Sequence, residues 1–395
     1  MTARVMQVAL TSVLLVGCAR APIAPATEPD ASEPPAIDAP SPPEVPYPDP
    51  DWATGSPGDV GLDAAKLDEA AAAAGASESF CLLVIRHGVL VSEHYFNGAD
   101  ATTTPSSWSI AKSYSSTVVG IAVGNGDLPG LDAPIADHVP SWQGTSRASI
   151  TLRDLVSMDS GLSWNVFQDY IAMAELAADK SAFATGLDAS AAPGTTWVYN
   201  NAGVQMIEPY FRAATGTAID DYAQTHLWQP IGTTATWAHD TAGHSTTYAN
   251  VMTTCRDHAR LGYLYLHGGR WKHTQVVPAA YVAEAITPSQ PFNRGYGHLF
   301  WLNGEAPTID SLGKVSDTRL QPYAPPDMFA AHGFGGQFID VIPSLDLVVV
   351  RFALDELSSL QTGDLNAIIG ALVADQLDDS HHKILQPILD AVIGP

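Results

Sequence analysis

Residues 108–126, WSIAKSYSSTVVGIAVGNG, set Ser109 and Lys112 three positions apart at the head of a long apolar run. Helical spacing of three puts two side chains next to one another on one face. Glycines at 120, 124 and 126, followed by Asp127, close the run. A serine hydroxyl is a poor nucleophile near neutral pH and needs a neighbouring base to take its proton as it attacks. A lysine serves as that base when its surroundings lower its pKa, and Ile110, Ala111, Val118 and Val119 supply apolar surroundings. At a helix start the N–H of Ser109 is also left to face a developing oxyanion. The competing reading is a small polar residue that only caps a buried helix.

The spacing recurs at Ser311-Leu312-Gly313-Lys314 and at Ser380-His381-His382-Lys383. The first contains a glycine and precedes no apolar helix, and the second reads as a charged, exposed tail. Ser109 differs in what flanks it. Upstream, FCLLVIRHGVLVSEHYF (80–96) gives two β-rich runs around His87-Gly88, a hairpin signal, and LDAAKLDEAAAAAG (62–75) reads as a helix ending on glycine. Downstream, from about 130 to 290, helical patterns alternate with Gly and Pro. The character then turns to β in YGHLFWL (296–302), GGQFIDVIP (335–343) and the run from Leu345 to Val350, before a last helical stretch, LNAIIGALVADQL. Strands from both chain ends around a helical middle predict an α+β fold, a central antiparallel sheet flanked by helices with a mostly helical insertion.

With these flanks the chain resembles the serine β-lactamase and penicillin-binding-protein family, in which S-x-x-K opens the central helix and carries the nucleophile. The family's Tyr-x-Asn motif is matched by Tyr199-Asn200-Asn201 in PGTTWVYNNAGVQMI, similar to the branch of class C β-lactamases, family VIII-type esterases and 6-aminohexanoate-dimer hydrolases. Tyr95-Phe96-Asn97 and Tyr248-Ala249-Asn250 match the letters without the flanks. The resemblance implies that Tyr199 shares the proton relay with Lys112 and that Asn201 bonds the lysine or a substrate amide. The third motif, usually Lys-Thr-Gly, falls on FAAHGFGGQFIDVIP, which has no lysine. Either His332 takes the first position or Ala331-His332-Gly333 replaces all three. The second register keeps the glycine and implies Phe334 N–H as the second oxyanion donor. The missing lysine weakens recognition of a β-lactam carboxylate. His332 and Tyr170 complete the substrate-binding candidates, each with a plain structural alternative, and Asp169 reads as a contact for an amine or, more simply, as a solvated loop carboxylate.

Composition bounds the partners. The chain has 395 residues, 18 basic against 42 acidic, net -24, so its field repels nucleic acid and anionic membrane surfaces. Arg4, the apolar run Val5 to Val16 and then Leu15-Val16-Gly17-Cys18 read as an export signal ending in a lipidated cysteine (1–18), or as a plain secretion signal. Residues 19–50, rich in proline, read as a stiff tether, and 51–395 as the folded domain. Membrane association is thus expected only through an N-terminal lipid anchor at Cys18, in a bacterial protein facing the periplasm or exterior. Cys81 and Cys255 are either a disulfide, permitted in such a compartment, or two buried thiols. His381-His382 points to metal only if other ligands converge, and without a ligand-spaced cluster no metal or cofactor is expected. The predicted function is a serine hydrolase acting on a small ester, amide or peptide-like substrate, against the alternatives of β-lactamase or D-alanyl-peptidase activity and of a silent binder of cell-wall fragments.

Overall fold

The computed structural model describes residues 46–353 and 365–393; Cys18, the signal and the stretch up to residue 45 lie outside them. A seven-stranded sheet forms the frame, with strands β1 (Ala53–Thr54), β2 (Ser79–Arg86), β3 (Val89–Tyr95), β4 (Trp301–Leu302), β5 (Phe329–Gly333), β6 (Gln337–Ile342) and β7 (Leu347–Ala353). Their order is β1-β3-β2-β7-β6-β5-β4, antiparallel except for the β1–β3 pair. The α+β architecture is therefore the one expected, with the hairpin from the front of the chain joined to β7 from its end.

The central strands β2, β6 and β7 are buried on both faces, and period-2 alternation sorts their side chains. Leu82, Val84, Phe338 and Val349 face α1 (Ala64–Ala76) and a final helix, Ser380–Asp390, whose Ile384, Leu385 and Ile388 complete that layer. Leu83, Ile85, Ile339 and Val350 face α2 (Ile110–Asn125) and α4 (Cys255–Leu266), with α3 (Asn201–Gln205) beyond them. Residues 365–377 form α5 and 380–390 form α6. The disulfide reading of the cysteines is the one found: Cys81 on β2 is bridged to Cys255 at the start of α4.

Four local expectations change. The stretch around Ser380-His381 is no exposed tail: Ser380 is buried and α6 is amphipathic, so its apolar stripe docks on the sheet. YGHLFWL contributes only Trp301–Leu302 to the sheet, because Leu299 takes a left-handed φ of 58° that breaks the strand. α1 runs through Gly75 to Ala76. Pro46–Pro50, read with the tether, lie against the folded body, where Tyr263 Oη donates to the Pro46 carbonyl (2.8 Å) and Lys272 pairs with Asp49 (2.6 Å).

Helix α2 positions the site. Every residue from Ile110 to Ala122 is buried, and the hydroxyls among them are satisfied: Ser113 and Ser115 donate to the Leu299 and Thr247 carbonyls, Ser116 bonds Tyr281 Oη and Thr117 donates to the Ser113 carbonyl. Gly120 and Gly124 lie inside it, because a Cβ there would meet the Tyr281 ring at 2.3 Å and Pro278 at 2.2 Å. Gly126, at φ 79°, forms the left-handed cap that ends it. No helix among the described residues is long and apolar enough to cross a membrane.

Candidate active site

Ser109 stands at the first turn of α2, directly after Trp108, whose backbone is held at φ 45°. That uncommon conformation is clamped by its neighbours: Trp108 N–H donates to Asn250 Oδ1 (2.9 Å), and Asn250 N–H donates to the Trp108 carbonyl (3.0 Å). Lys112 Nζ donates to Ser109 Oγ at 2.8 Å and to the Tyr248 carbonyl at 2.9 Å. Tyr199, from the segment leading into α3, lines the same cleft as Ser109, and Lys112 Nζ lies 4.8 Å from its ring centroid. The three side chains that the two motifs singled out are thus in one contact group.

Burial separates the roles these groups can take. Lys112 is 1 % exposed, and desolvation pushes its ammonium down to about 7, against an opposing pull from the Asp169 carboxylate. Desolvation pushes the Tyr199 phenol up. Near neutral pH the amine is therefore the group able to lose its proton, while the phenol keeps its own.

Asn201 caps this arrangement from the side, but its partners differ from those the resemblance implies. Its backbone N–H (3.1 Å) and Nδ2 (2.8 Å) both donate to Asp169, as do Ala202 N–H (2.8 Å) and Trp164 Nε1 (3.0 Å). Asp169 is 1 % exposed, so the loop carboxylate read as solvated is a buried tie between the π-helical Phe167–Leu176 segment and the N-terminus of α3. Burial raises its carboxyl and the four N–H donors pull it back towards the ionised form. Tyr170, the next residue, lines the cleft together with Asn201.

On the opposite wall, β5 ends against the nucleophile. A Cβ on Gly333 would lie 2.5 Å from the Ser107 carbonyl and 3.2 Å from Trp108 Cβ, so only glycine admits this approach. The Phe334 ring meets Trp108 edge-on at 5.7 Å. Strand alternation sends His332 to the other face of β5, where its Nε2 bonds Asp340 Oδ1 (3.2 Å). Gly333 and Phe334 therefore join Ser109, and His332 lines a more distant part of the same cleft.

That cleft has a volume of about 670 Å³. Ile368 and Leu372 of α5 pack with Ile171, Tyr170 and Phe334 to cover one side. Glu175, Asp310, Asp375 and Asp378 line it, with no arginine and no lysine among the lining residues. Asp375 accepts from the Gly335 N–H (2.7 Å), and burial raises its carboxyl to about 6. An acidic, aromatic cleft of this kind favours neutral or cationic ligands over anionic ones.

Two features were invisible in the sequence reading. The Tyr248–Asn250 stretch, a three-letter match without the flanks of the Tyr199 motif, runs beside Ser106–Trp108, with Ser106 Oγ donating to Asn250 Oδ1 (2.7 Å) and Val251 N–H to Ser107 Oγ (2.8 Å). A three-letter match gives no sign of such a pairing between segments 140 residues apart. The other is the burial of Asp169, a residue whose place in a loop gave no sign of it.

A family model described as beta-lactamase matches residues 64–365. The 6-aminohexanoate-dimer hydrolase of Paenarthrobacter ureafaciens is 24% identical over 311 residues, covering 67% of this chain and 78% of that one. Among solved structures, a Bacteroides dorei protein described as a candidate β-lactamase superposes with TM-score 0.60 at 16% identity, over 79% of this chain and 98% of its own. A Bacillus anthracis protein described as a candidate 6-aminohexanoate-dimer hydrolase gives 0.59 at 20% identity, over 78% and 80%.

Proposed function

The chain belongs to the β-lactamase family and is a hydrolase, and from that premise we propose that it cleaves an uncharged or amine-bearing ester or linear amide through an acyl-enzyme on Ser109. The observation that carries this reading is the 2.8 Å bond between Ser109 Oγ and an amine that burial holds near 7. The neutral form of Lys112 takes the Ser109 proton as Oγ attacks the carbonyl carbon. Tyr199 gives its phenolic proton to the departing alkoxide or amine as the carbon–oxygen or carbon–nitrogen bond breaks, and the Lys112 ammonium returns a proton to the phenolate. The N–H groups of Ser109 and Phe334, neither with a protein acceptor among the described residues, face the oxyanion. Water then attacks the acyl carbon, giving its proton to the same pair, and the carboxylic acid leaves with Ser109 restored.

Substrate class follows from the walls. A β-lactam carries a carboxylate, and the cleft offers it acidic side chains, with no arginine or lysine among its described lining residues beyond the buried Lys112 at Ser109. An amine-terminated linear amide meets complementary charge instead, in keeping with the amide hydrolase among the relatives. Turnover of p-nitrophenyl butyrate, a 6-aminohexanoate dimer and a chromogenic cephalosporin is the test. The first two are expected to be cleaved and the cephalosporin least; a cephalosporin preferred over both would reverse the assignment.

Export and anchoring rest on residues 1–18, with Cys18 as the lipidated residue. In a bacterial host the wild-type chain should take up labelled palmitate and sediment with membranes, and Cys18→Ala should do neither. Equal labelling of both forms rejects the anchor.

A further inference from the structure

The geometry points to a divalent-metal site of the zinc type, built from His332, Asp340 and His381, on the face of β5 turned away from Ser109. Register brings the first two together. His332 pairs with Phe338 and Ala330 with Asp340, so His332 and Asp340 are diagonal neighbours on one face of the β5–β6 hairpin. Helix α6 then lays His381 over the same face, its ring centroid 5.2 Å from that of His332. Sequence separations of 8 and 41 residues give no ligand spacing, so no motif announced the cluster.

Each oxygen of Asp340 faces one imidazole: His332 Nε2 is 3.2 Å from Oδ1 and His381 Nε2 is 2.8 Å from Oδ2. The three donor atoms lie within 4.8 Å of one another. Zinc bonds of about 2.0–2.2 Å put neighbouring ligand atoms of a tetrahedron roughly 3.3–3.6 Å apart, so shifts of about an ångström, opening the shorter spacings and closing any longer one, admit the ion in place of the shared protons. His381 is already oriented for this role. Tyr323 Oη is 2.7 Å from its Nδ1, the outer contact that fixes a ligating ring with Nε2 towards the metal.

Charge supports the same reading. Asp340 is fully buried, and no arginine or lysine bonds it among the described residues. A buried carboxylate without such a partner needs positive charge close by. The other three-residue grouping of the fold, Asp179, Asp240 and His244, is different, because its carboxylates already accept the N–H groups of Ala182, Lys180 and His244. His332, Ser380 and His381 line the cleft, so the remaining coordination position opens towards it and to water. A bound ion would tie α6 to β5 and β6.

Tag-free full-length protein, stripped with a chelator, tests the site by zinc calorimetry, metal analysis and thermal melting. About one zinc per chain is expected, with a rise in melting temperature. His381→Gln should weaken zinc binding about 100-fold or more and abolish that rise, and Tyr323→Phe should weaken it about tenfold. Cobalt(II) titration of the unmodified chain needs no variant: visible bands of a four- or five-coordinate ion are expected. A spectrum of hexaaqua cobalt, zinc uptake unchanged in His381→Gln, or uptake lost instead in His244→Gln overturns the proposal.

Discussion

Ser109→Ala is expected to lower kcat/KM for the ester or amide substrate by a factor on the order of 10³ or more while the protein stays folded. The loss is large because the hydroxyl is the bond-forming atom of a group that acts as a unit. Removing it leaves Lys112 and Tyr199 with no proton to take. The fold is expected to hold because Lys112 Nζ keeps its second acceptor, the Tyr248 carbonyl at 2.9 Å, so the buried amine is not left unpaired. Labelling by a fluorophosphonate probe should disappear with the activity, and the melting temperature should stay close to that of the parent. Ser311 also lines the cleft, yet it follows Asp310 in a turn whose carboxylate accepts the Leu312 and Lys314 N–H groups, and its Oγ accepts from Gln376 Nε2 (3.2 Å), with no lysine bonded to it among the described residues. Ester turnover retained in full by Ser109→Ala would remove the acyl-enzyme from the account.

The parts of this site that could be read from the chain are those carried by short, local geometry. Ser109 and Lys112 share one helix face, so their contact follows from spacing once the helix is granted, and the buried run from Ile110 grants it. Tyr199 was legible through its neighbours, a Pro-Gly turn before and an apolar helix after. The β2–β3 hairpin showed itself through His87-Gly88, both of which adopt positive φ. What stayed hidden depends on register and docking between distant segments. Asn250 reaches Trp108 across 142 residues, and His381 reaches Asp340 across 41, with no periodic signal in either stretch. The bridge between Cys81 and Cys255 likewise needed the placement of α4 against β2, which composition does not supply. The side on which His332 falls was open for the same reason. A strand alternates faces, so the choice of register decides whether an imidazole meets the nucleophile or Asp340.

Asp169→Ala is expected to cost about 3 kcal/mol of stability and most of the activity together, a larger penalty than its loop position suggests. The carboxylate takes four N–H donors: the Asn201 amide and side chain, Ala202 and the Trp164 indole. Alanine leaves these buried donors without their acceptor, two of them backbone groups at the N-terminus of α3, where a negative charge is also favoured by the helix dipole. With α3 released, the preceding Tyr199 loses its fixed approach to Ser109. Asp169→Asn separates charge from shape, since an amide oxygen still accepts part of this network. It removes the negative charge that favours the Lys112 ammonium, so the lysine pKa should fall below its present value of about 7. Activity requires the neutral amine, so in the parent kcat/KM should climb with pH through about 7 and level off above it. In Asp169→Asn the climb should move to lower pH, leaving the variant less impaired under acid conditions than at its plateau. A pH–rate profile for each protein, alongside its melting curve, checks both halves. An acid limb that stays where it was, in a variant that remains folded and active, would mean that Lys112 does not set the rate.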